Sequence, residues 1–131
     1  MELFDNIAQK KTHEMIVAKL DKINVKAGAC RYNFRCHLNA VHDAITFNQD
    51  KIAMCFYVDN GRPIIHFLNV DSDGKYTDNT LGHWSTIYSY YLIRHIDKES
   101  FFDVSEIFTL YRKGLRKELS WITRLFSNIE F

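Results

Sequence analysis

The sequence predicts an α+β fold, in which an antiparallel β-sheet meander is packed by a central cysteine-bearing helix, with N- and C-terminal helices. Apolar residues recur at helical spacing near both ends of the chain, and again from Cys36 onward. Between them lie short β-branched and aromatic runs, separated by turn residues. With 131 residues, 47% of them hydrophobic, the chain suits a single domain, 1–131, with a core of its own.

The first predicted element is a helix over residues 2–22. Its apolar side chains fall mostly on one face and its lysines elsewhere, which is typical of a helix that covers a core. Residues 24–35 contain Gly28 and mixed polar residues without a sustained period. We therefore expect a loop there, leading into the next helix.

The central helix is predicted over residues 36–47, where the apolar residues follow a helical period. This places Cys36 in the first turn, where unpaired N–H groups and the helix dipole stabilise a thiolate. Residues 51–58 are apolar at nearly every position. They predict a strand that is buried on both faces.

Two turns connect the predicted meander. Residues 59–62, Asp-Asn-Gly-Arg, lead into a strand over 64–70, and residues 71–74, Asp-Ser-Asp-Gly, lead into a short strand over 75–79. Residues 86–96 are rich in β-branched and aromatic types and predict a fourth strand, with a helix as the open alternative.

A C-terminal helix follows, with Asp103 or Ser105 as its N-cap. One apolar stripe identifies it, interrupted only by Gly114 and made of Val104, Ile107, Phe108, Tyr111, Leu115, Leu119, Ile122 and Phe126. A basic patch on the same helix consists of Arg112, Lys113, Arg116 and Lys117. Such a patch is usually a solvated face, although an acidic partner or a nucleic acid is the alternative.

Charge and composition narrow the classes of partner. The net charge is +1, from 17 basic and 16 acidic residues, so no overall field favours nucleic acid or an anionic membrane. No apolar run approaches the length of a membrane span, and the N-terminus lacks a signal-peptide pattern. An odd count of three cysteines fits thiols in a reducing cytoplasm, with a Cys30–Cys36 disulfide as the minor alternative. We expect a cytoplasmic protein without a cofactor.

Three residues on separate predicted elements carry the functional hypothesis: Cys36, His66 and Asp78. Strand pairing across the 71–74 turn brings position 66 within about one residue of Asp78 or Asn79. A carboxylate beside an imidazole fixes its tautomer and favours its protonated form, as the general base of a cysteine nucleophile requires. We therefore predict Cys36 as nucleophile, His66 as base and Asp78 as the residue that orients His66.

Several residues are alternatives or helpers. Cys30 is the nucleophile if the central helix begins elsewhere, whereas Cys55, in the middle of a strand, is expected in the core. Asn69 is a second orienting candidate, although its side chain should point to the sheet face opposite His66. The candidates to bind an oxyanion beside the Cys36 N–H are Asn33, Arg31 and Asn39.

Metal binding is disfavoured. His37 and His42 lie near Cys36, but Cys36 and His37 are adjacent and should face apart on a helix. The sequence also has no paired-cysteine motif of the kind that holds zinc.

The pattern Cys-His-x-Asn-Ala, then His-x-x-Asn-Val, then Asp-Gly-x-x-x-Asp-Asn-Thr resembles the transglutaminase-like branch of the papain-like cysteine fold, including small uncharacterised bacterial and phage proteins. The resemblance covers residues 30–82 and not the terminal helices. It implies Cys36 as nucleophile, His66 as base and Asp78 as the orienting residue. Phe67 stands after the histidine, where the family commonly has another aromatic residue.

The expected function is thiol-dependent acyl chemistry on an amide of a protein substrate. Hydrolysis is favoured, as glutamine deamidation or peptide cleavage, with cross-linking as a third outcome of the same acyl-enzyme. The alternative is a non-enzymatic interaction protein, such as a small phage-type inhibitor. Aromatic residues that would suit such a binding surface are Trp84, Tyr88, Tyr90 and Trp121.

Overall fold

A computed structural model describes residues 2–31, 33 and 35–117. Within these residues the predicted α+β class is confirmed, including the cysteine-bearing helix and the helices near each end. The elements in chain order are α1 (Glu2–Lys19), β1 (Asp21–Ile23), β2 (Val25–Ala27), α2 (Cys36–Thr46), β3 (Lys51–Asp59), β4 (Arg62–Val70), β5 (Tyr76–Asp78), a 3-10 helix (Gly82–Ile87), β6 (Ser89–Asp97), a second 3-10 helix (Lys98–Asp103) and α3 (Val104–Lys117).

The predicted meander is present as β3, β4 and β5, which pair antiparallel in that order. The turn between β3 and β4 places Asn60 at φ 51° and Gly61 at φ 78°, a region that these two residue types tolerate best. The register pairs Ile52 with Asn69 and Cys55 with His66. This register decides which face of the sheet each side chain of β4 occupies.

The prediction of a loop over residues 24–35 is wrong for the first part of that segment, because Val25–Ala27 forms β2. This strand pairs in parallel with β5, Val25 opposite Tyr76 and Ala27 opposite Asp78. Residues 21 and 22, predicted as the end of the N-terminal helix, instead form β1 together with Ile23, and β1 pairs with β6. The sheet order is β1-β6-β3-β4-β5-β2, so β1 and β2 are its two edge strands. Only Asn24 separates β1 from β2 along the chain, so the sheet curls to bring its two edges together.

The strand predicted over 86–96 is confirmed as β6, which begins at Ser89, and the helical alternative is wrong there. It pairs antiparallel with β3, with a register shift between Met54 and Cys55. Val104, next to the predicted cap Asp103, begins α3. The part of the predicted stripe beyond Lys117, with Leu119, Ile122 and Phe126, lies outside the described residues, as does Trp121.

Alternate side chains of β3 belong to two different apolar clusters. Ile52, Met54 and Phe56 pack with residues of α1, α2 and α3 in the larger one. Ala53 and Cys55 face the other side, with aromatic and aliphatic side chains of the curled sheet. The near-continuous burial predicted for this strand is thus confirmed, because both faces are covered.

No helix in the described part of the chain has both the length and the apolar character needed to cross a bilayer.

Candidate active site

The site lies where β5 ends beside β4. These strands pair at Asn69 and Val70 of β4, and Asp78 is the last residue of β5. From this position the Asp78 carboxylate reaches back to His66, and His66 Nε2 lies 2.8 Å from Asp78 Oδ2. Both side chains are buried, at 4% and 0% exposure. The structure therefore brings these two predicted residues into direct contact.

Four donors surround the Asp78 carboxylate. Oδ1 accepts the backbone N–H groups of Thr80 at 2.9 Å and Leu81 at 2.8 Å. Oδ2 accepts the Tyr90 hydroxyl at 2.6 Å, as well as His66 Nε2. Burial alone would raise the pKa of Asp78, but the bonds from His66, Tyr90 and Leu81 outweigh it and hold the pKa below its usual range. The carboxylate is thus a fixed anion at the back of the site.

Cys36 enters the site from the first turn of α2, as predicted for that helix. The imidazoles of His66 and His37 both lower the pKa of its thiol. Since Nε2 of His66 is bonded to Asp78, Nδ1 is the ring nitrogen that remains for a second partner. The hydrogen bond of the site joins His66 of β4 to Asp78 of β5, and the thiol at the start of α2 interacts electrostatically with that imidazole.

The pKa values of Cys36 and His66 move in opposite directions. Burial by itself raises the pKa of the thiol, but hydrogen bonds and charge from His37 and His66 lower it to about 6. Burial by itself lowers the pKa of His66, but hydrogen bonds to Asp78 and Cys36 raise it to about 9. Between these two values the favoured state is a thiolate paired with an imidazolium, which is the reactive form of a cysteine nucleophile.

Aromatic rings enclose His66. Tyr57 meets the imidazole edge-on with ring centroids 5.1 Å apart, and Tyr57 also packs on Tyr88 at 4.8 Å. The ring of Tyr90 lies 6.3 Å from His66. Burial raises the pKa of Tyr57 to about 12, so its hydroxyl stays neutral. These rings restrict water around the imidazole and so strengthen its electrostatic contacts.

The N-terminus of α2 offers donors for an oxyanion. In the described part of the chain, Arg35 at the N-cap makes no side-chain capping bond, and residues 36–39 contain no acidic side chain. The first backbone N–H groups of a helix have no partner within the helix. The Cys36 N–H is therefore placed to stabilise negative charge on a carbonyl oxygen attacked by its own sulfur.

The predicted polar helpers are bonded to one another and to the backbone. Asn69 Nδ2 donates to the Ala40 carbonyl and to Gln49 Oε1, both at 2.9 Å, so its side chain lies under α2. Asp78 is thus the residue bonded to His66, and Asn69, the alternative orienting candidate, is bonded elsewhere. Asn69 lies on the sheet face opposite to His66, as the alternation of side chains along a strand predicted.

Two other groups of candidates stabilise the segment before α2. Asn33 and Asn39 exchange amide hydrogen bonds at 3.1 and 3.0 Å, and Asn39 also donates to Thr80 Oγ1 at 3.0 Å. Arg31 binds both carboxylate oxygens of Asp43, at 2.6 and 3.0 Å. These contacts tie the segment before α2 to the helix and to the chain after β5.

The other two cysteines differ from Cys36. Cys30 forms an isolated β-bridge with Leu81, and all three cysteines are free thiols. Cys55 is fully buried in the sheet, as predicted, and burial raises its pKa well above the ordinary value. Among the described residues, no group of three or more His, Cys, Asp or Glu side chains could hold a metal ion.

His37 is the site residue that the sequence reasoning missed. The imidazole lowers the pKa of the Cys36 thiol, an effect that the sequence analysis did not assign to it. Its ring stacks on Phe108 of α3, 5.7 Å away with an interplanar angle of 27°. Helical spacing describes where side chains leave the backbone, and tertiary packing on α3 then decides where this ring lies.

Comparisons with protein-family models, with curated proteins and with solved structures return no match for this chain.

Proposed function

We propose that the protein is a cysteine-dependent acyl hydrolase with Cys36 as nucleophile, His66 as general base and acid, and Asp78 as the residue that orients His66. The observation that carries this proposal is the buried contact between Asp78 and His66, whose imidazole also lowers the pKa of the Cys36 thiol. A half-buried thiol that has both an imidazole and a buried carboxylate behind it is unusual for a purely structural cysteine. The predicted resemblance to transglutaminase-like proteins implies the same three roles.

The proposed reaction begins with attack of the Cys36 thiolate on an amide carbonyl carbon. A C–S bond forms, and the carbonyl π electrons move to oxygen, where the Cys36 N–H donates to the oxyanion. The intermediate collapses, the C–N bond breaks, and the leaving nitrogen takes its proton from the His66 imidazolium. Neutral His66 then removes a proton from water, which attacks the thioester and releases the acid and the thiolate.

Asp78 contributes through its position and charge. Because Oδ2 accepts from His66 Nε2, the imidazole is held with Nδ1 toward the sulfur, and the imidazolium is stabilised by a buried anion. The bonds from Tyr90, Thr80 and Leu81 keep that anion from rotating or taking up a proton. The carboxylate does not itself exchange protons in this scheme.

The proposed substrate is a protein, with either a glutamine side chain or a peptide bond as the reacting amide. Both are amides and differ in the leaving group, which is ammonia for deamidation and an amine for cleavage. Water as the second reactant favours hydrolysis over cross-linking. A low-pKa thiol requires a reducing compartment to stay active, so we place the reaction in the cytoplasm, with no cofactor, membrane or nucleic acid involved.

The experiment is to trap the acyl-enzyme. The wild-type protein, C36A and C30A are incubated with p-nitrophenyl acetate and with a glutamine-containing peptide, and intact mass, nitrophenol and ammonia are measured. We expect a thioester on Cys36, with release of nitrophenol and, from the peptide, of ammonia or cleavage products. C30A should behave as wild type. Equal turnover by C36A and wild type would rule out Cys36 as the nucleophile.

A non-enzymatic binding role is the second candidate, and the exposure of Trp84, at 49%, favours it. A large aromatic side chain that remains half exposed is a common anchor in protein interfaces. Tyr90 is buried at 2% exposure and so cannot serve as a surface residue, contrary to the sequence expectation. If the protein has only a binding role, we expect C36A to retain biological function and W84A to lose it.

A further inference from the structure

Asn39 is a buried polar side chain near the start of α2. It lies one helical turn after Cys36 and is 8% exposed. Its Nδ2 donates to Asn33 Oδ1 and to Thr80 Oγ1, each at 3.0 Å, and its Oδ1 accepts from Asn33 Nδ2 at 3.1 Å. Both amide protons are therefore used in bonds within the protein, and these bonds fix the orientation of the side chain.

Thr80 connects the Asn39 side chain to the Asp78 carboxylate. Thr80 is 5% exposed, and its hydroxyl oxygen accepts from Asn39 while its own backbone N–H donates to Asp78 Oδ1 at 2.9 Å. The Thr80 carbonyl accepts the backbone N–H of Arg31 at 2.7 Å, which holds the peptide in place. Two hydrogen bonds and one residue thus separate α2 from the carboxylate that is bonded to His66.

Two other side chains hold α2 further from its N-terminus. The Ala40 carbonyl accepts from Asn69, and the Asp43 carboxylate pairs with Arg31. Neither Asn69 nor Arg31 donates to the buried carboxylate of β5. The bond from Asn39 differs from these contacts, because it ends on a residue that itself donates to that carboxylate.

We propose that Asn39 is a positioning residue for the reaction, which acts through Thr80 to fix the first turn of α2 relative to the Asp78 carboxylate. The same bond then keeps the Cys36 sulfur at a constant distance from the His66 imidazole. This inference rests on the proposed function, because it positions groups that act only in that reaction. A displacement of about 1 Å can slow a reaction about a hundredfold. A bond that fixes this distance therefore affects the rate without touching the substrate.

The test compares T80V, T80S and T46V with wild type. T80V removes the hydroxyl that accepts from Asn39 but keeps the backbone N–H that donates to Asp78, whereas T80S keeps both. T46V is the matched control, because the Thr46 hydroxyl donates to a carbonyl within the last turn of the same helix. The two measurements are the pH dependence of Cys36 alkylation by iodoacetamide and the rate of acylation by p-nitrophenyl acetate at pH 7.

We expect T80V to raise the alkylation midpoint of Cys36 and to slow acylation about tenfold, because the first turn of α2 can then move relative to His66. T80S and T46V should match wild type in both assays. A loss of stability alone would leave the alkylation midpoint of the folded protein unchanged, so the pH profile and the recovery in T80S identify a positioning role. The double variant N39A/T80V should match N39A, since both changes break one bond.

A T80V protein with the wild-type midpoint and acylation rate would overturn the inference. The proposed function would still stand if wild-type Cys36 has a low midpoint and forms the thioester. An ordinary thiol midpoint in wild type, with no thioester, would overturn both. If T80V does not fold by circular dichroism, N39A breaks the same bond and is read in the same way. Additive losses in N39A/T80V would also overturn the inference, because Asn39 would then act by a route other than Thr80.

Discussion

Replacing Asp78 with asparagine changes the charge behind His66 while nearly conserving side-chain volume. The native carboxylate is fully buried and accepts four hydrogen bonds, two at each oxygen. An asparagine oxygen can still accept the N–H groups of Thr80 and Leu81. Its NH2 group then faces the Tyr90 hydroxyl and His66 Nε2, and it cannot accept from either. The variant loses two charge-assisted bonds and the anion that stabilises the imidazolium.

The magnitude follows from these losses. Removing one partner of a buried ion pair typically costs about 3–5 kcal/mol, so D78N should lower the free energy of unfolding by about that amount. The pKa of His66, about 9 in the native protein, should fall below its ordinary value because burial then acts without the carboxylate. The pKa of Cys36, about 6 in the native protein, should rise in turn by at least about one unit as the imidazolium is lost.

Urea unfolding and pH-dependent alkylation of Cys36 measure the two effects in one set of proteins. The matched control is D73N, in which an exposed aspartate of the turn before β5 loses its charge. We expect D73N to match wild type in both assays. The reasoning fails if D78N keeps the low alkylation midpoint, because the buried carboxylate then does not control the thiol through His66.

Three further changes test separate parts of the structure. Y90F removes the hydroxyl bonded to the buried carboxylate and should cost about 2 kcal/mol in urea unfolding; equal stability would contradict this. N69A breaks the bonds under α2 and should cost about 2–3 kcal/mol while the alkylation midpoint of Cys36 stays unchanged; a shifted midpoint would show that Asn69 acts on the thiol. Burial raises the pKa of Asp43, but the Arg31 guanidinium outweighs it and holds that pKa below 3.8. The ionised Asp43 carboxylate therefore stabilises the fold above about pH 4, and this contribution to the free energy of unfolding is lost as pH falls through the folded pKa. D43N should therefore lose less stability between pH 5 and pH 2 than wild type, as followed by acid unfolding, and an identical acid slope would contradict the pairing.

The fold elements that the sequence predicted are those with local signals. Apolar spacing after Cys36 identified α2, and the Asn60-Gly61 turn located the β3–β4 hairpin, because both depend on neighbours along the chain. β2 was missed because Val25–Ala27 is only three residues long and is followed by Gly28. Its strand character comes from pairing with β5, about fifty residues away, which no local pattern contains.

The candidate site likewise has a part that local sequence signals predict and a part that depends on distant contacts. His66 and Asp78 could be placed near each other from the turn between their strands, since a short connection limits the possible registers. His37 could not be found in this way, because its position depends on Phe108 of α3. A histidine directly after a candidate cysteine at a helix start is a weak signal by itself, and the contact of its ring with Phe108 comes from the packing of α3.

The central claim is that Cys36 is a thiolate paired with His66, and alkylation of all three cysteines against pH in wild type and H66Q tests it most directly. The pKa of about 6 for Cys36 predicts about 90% thiolate at pH 7, against about 1% at the ordinary value of 9.0. We expect Cys36 to react with a midpoint near 6, Cys55 to stay unreactive in its buried position, and H66Q to move the Cys36 midpoint upward. A Cys36 midpoint near 9 in wild type, or one unchanged in H66Q, would contradict the account.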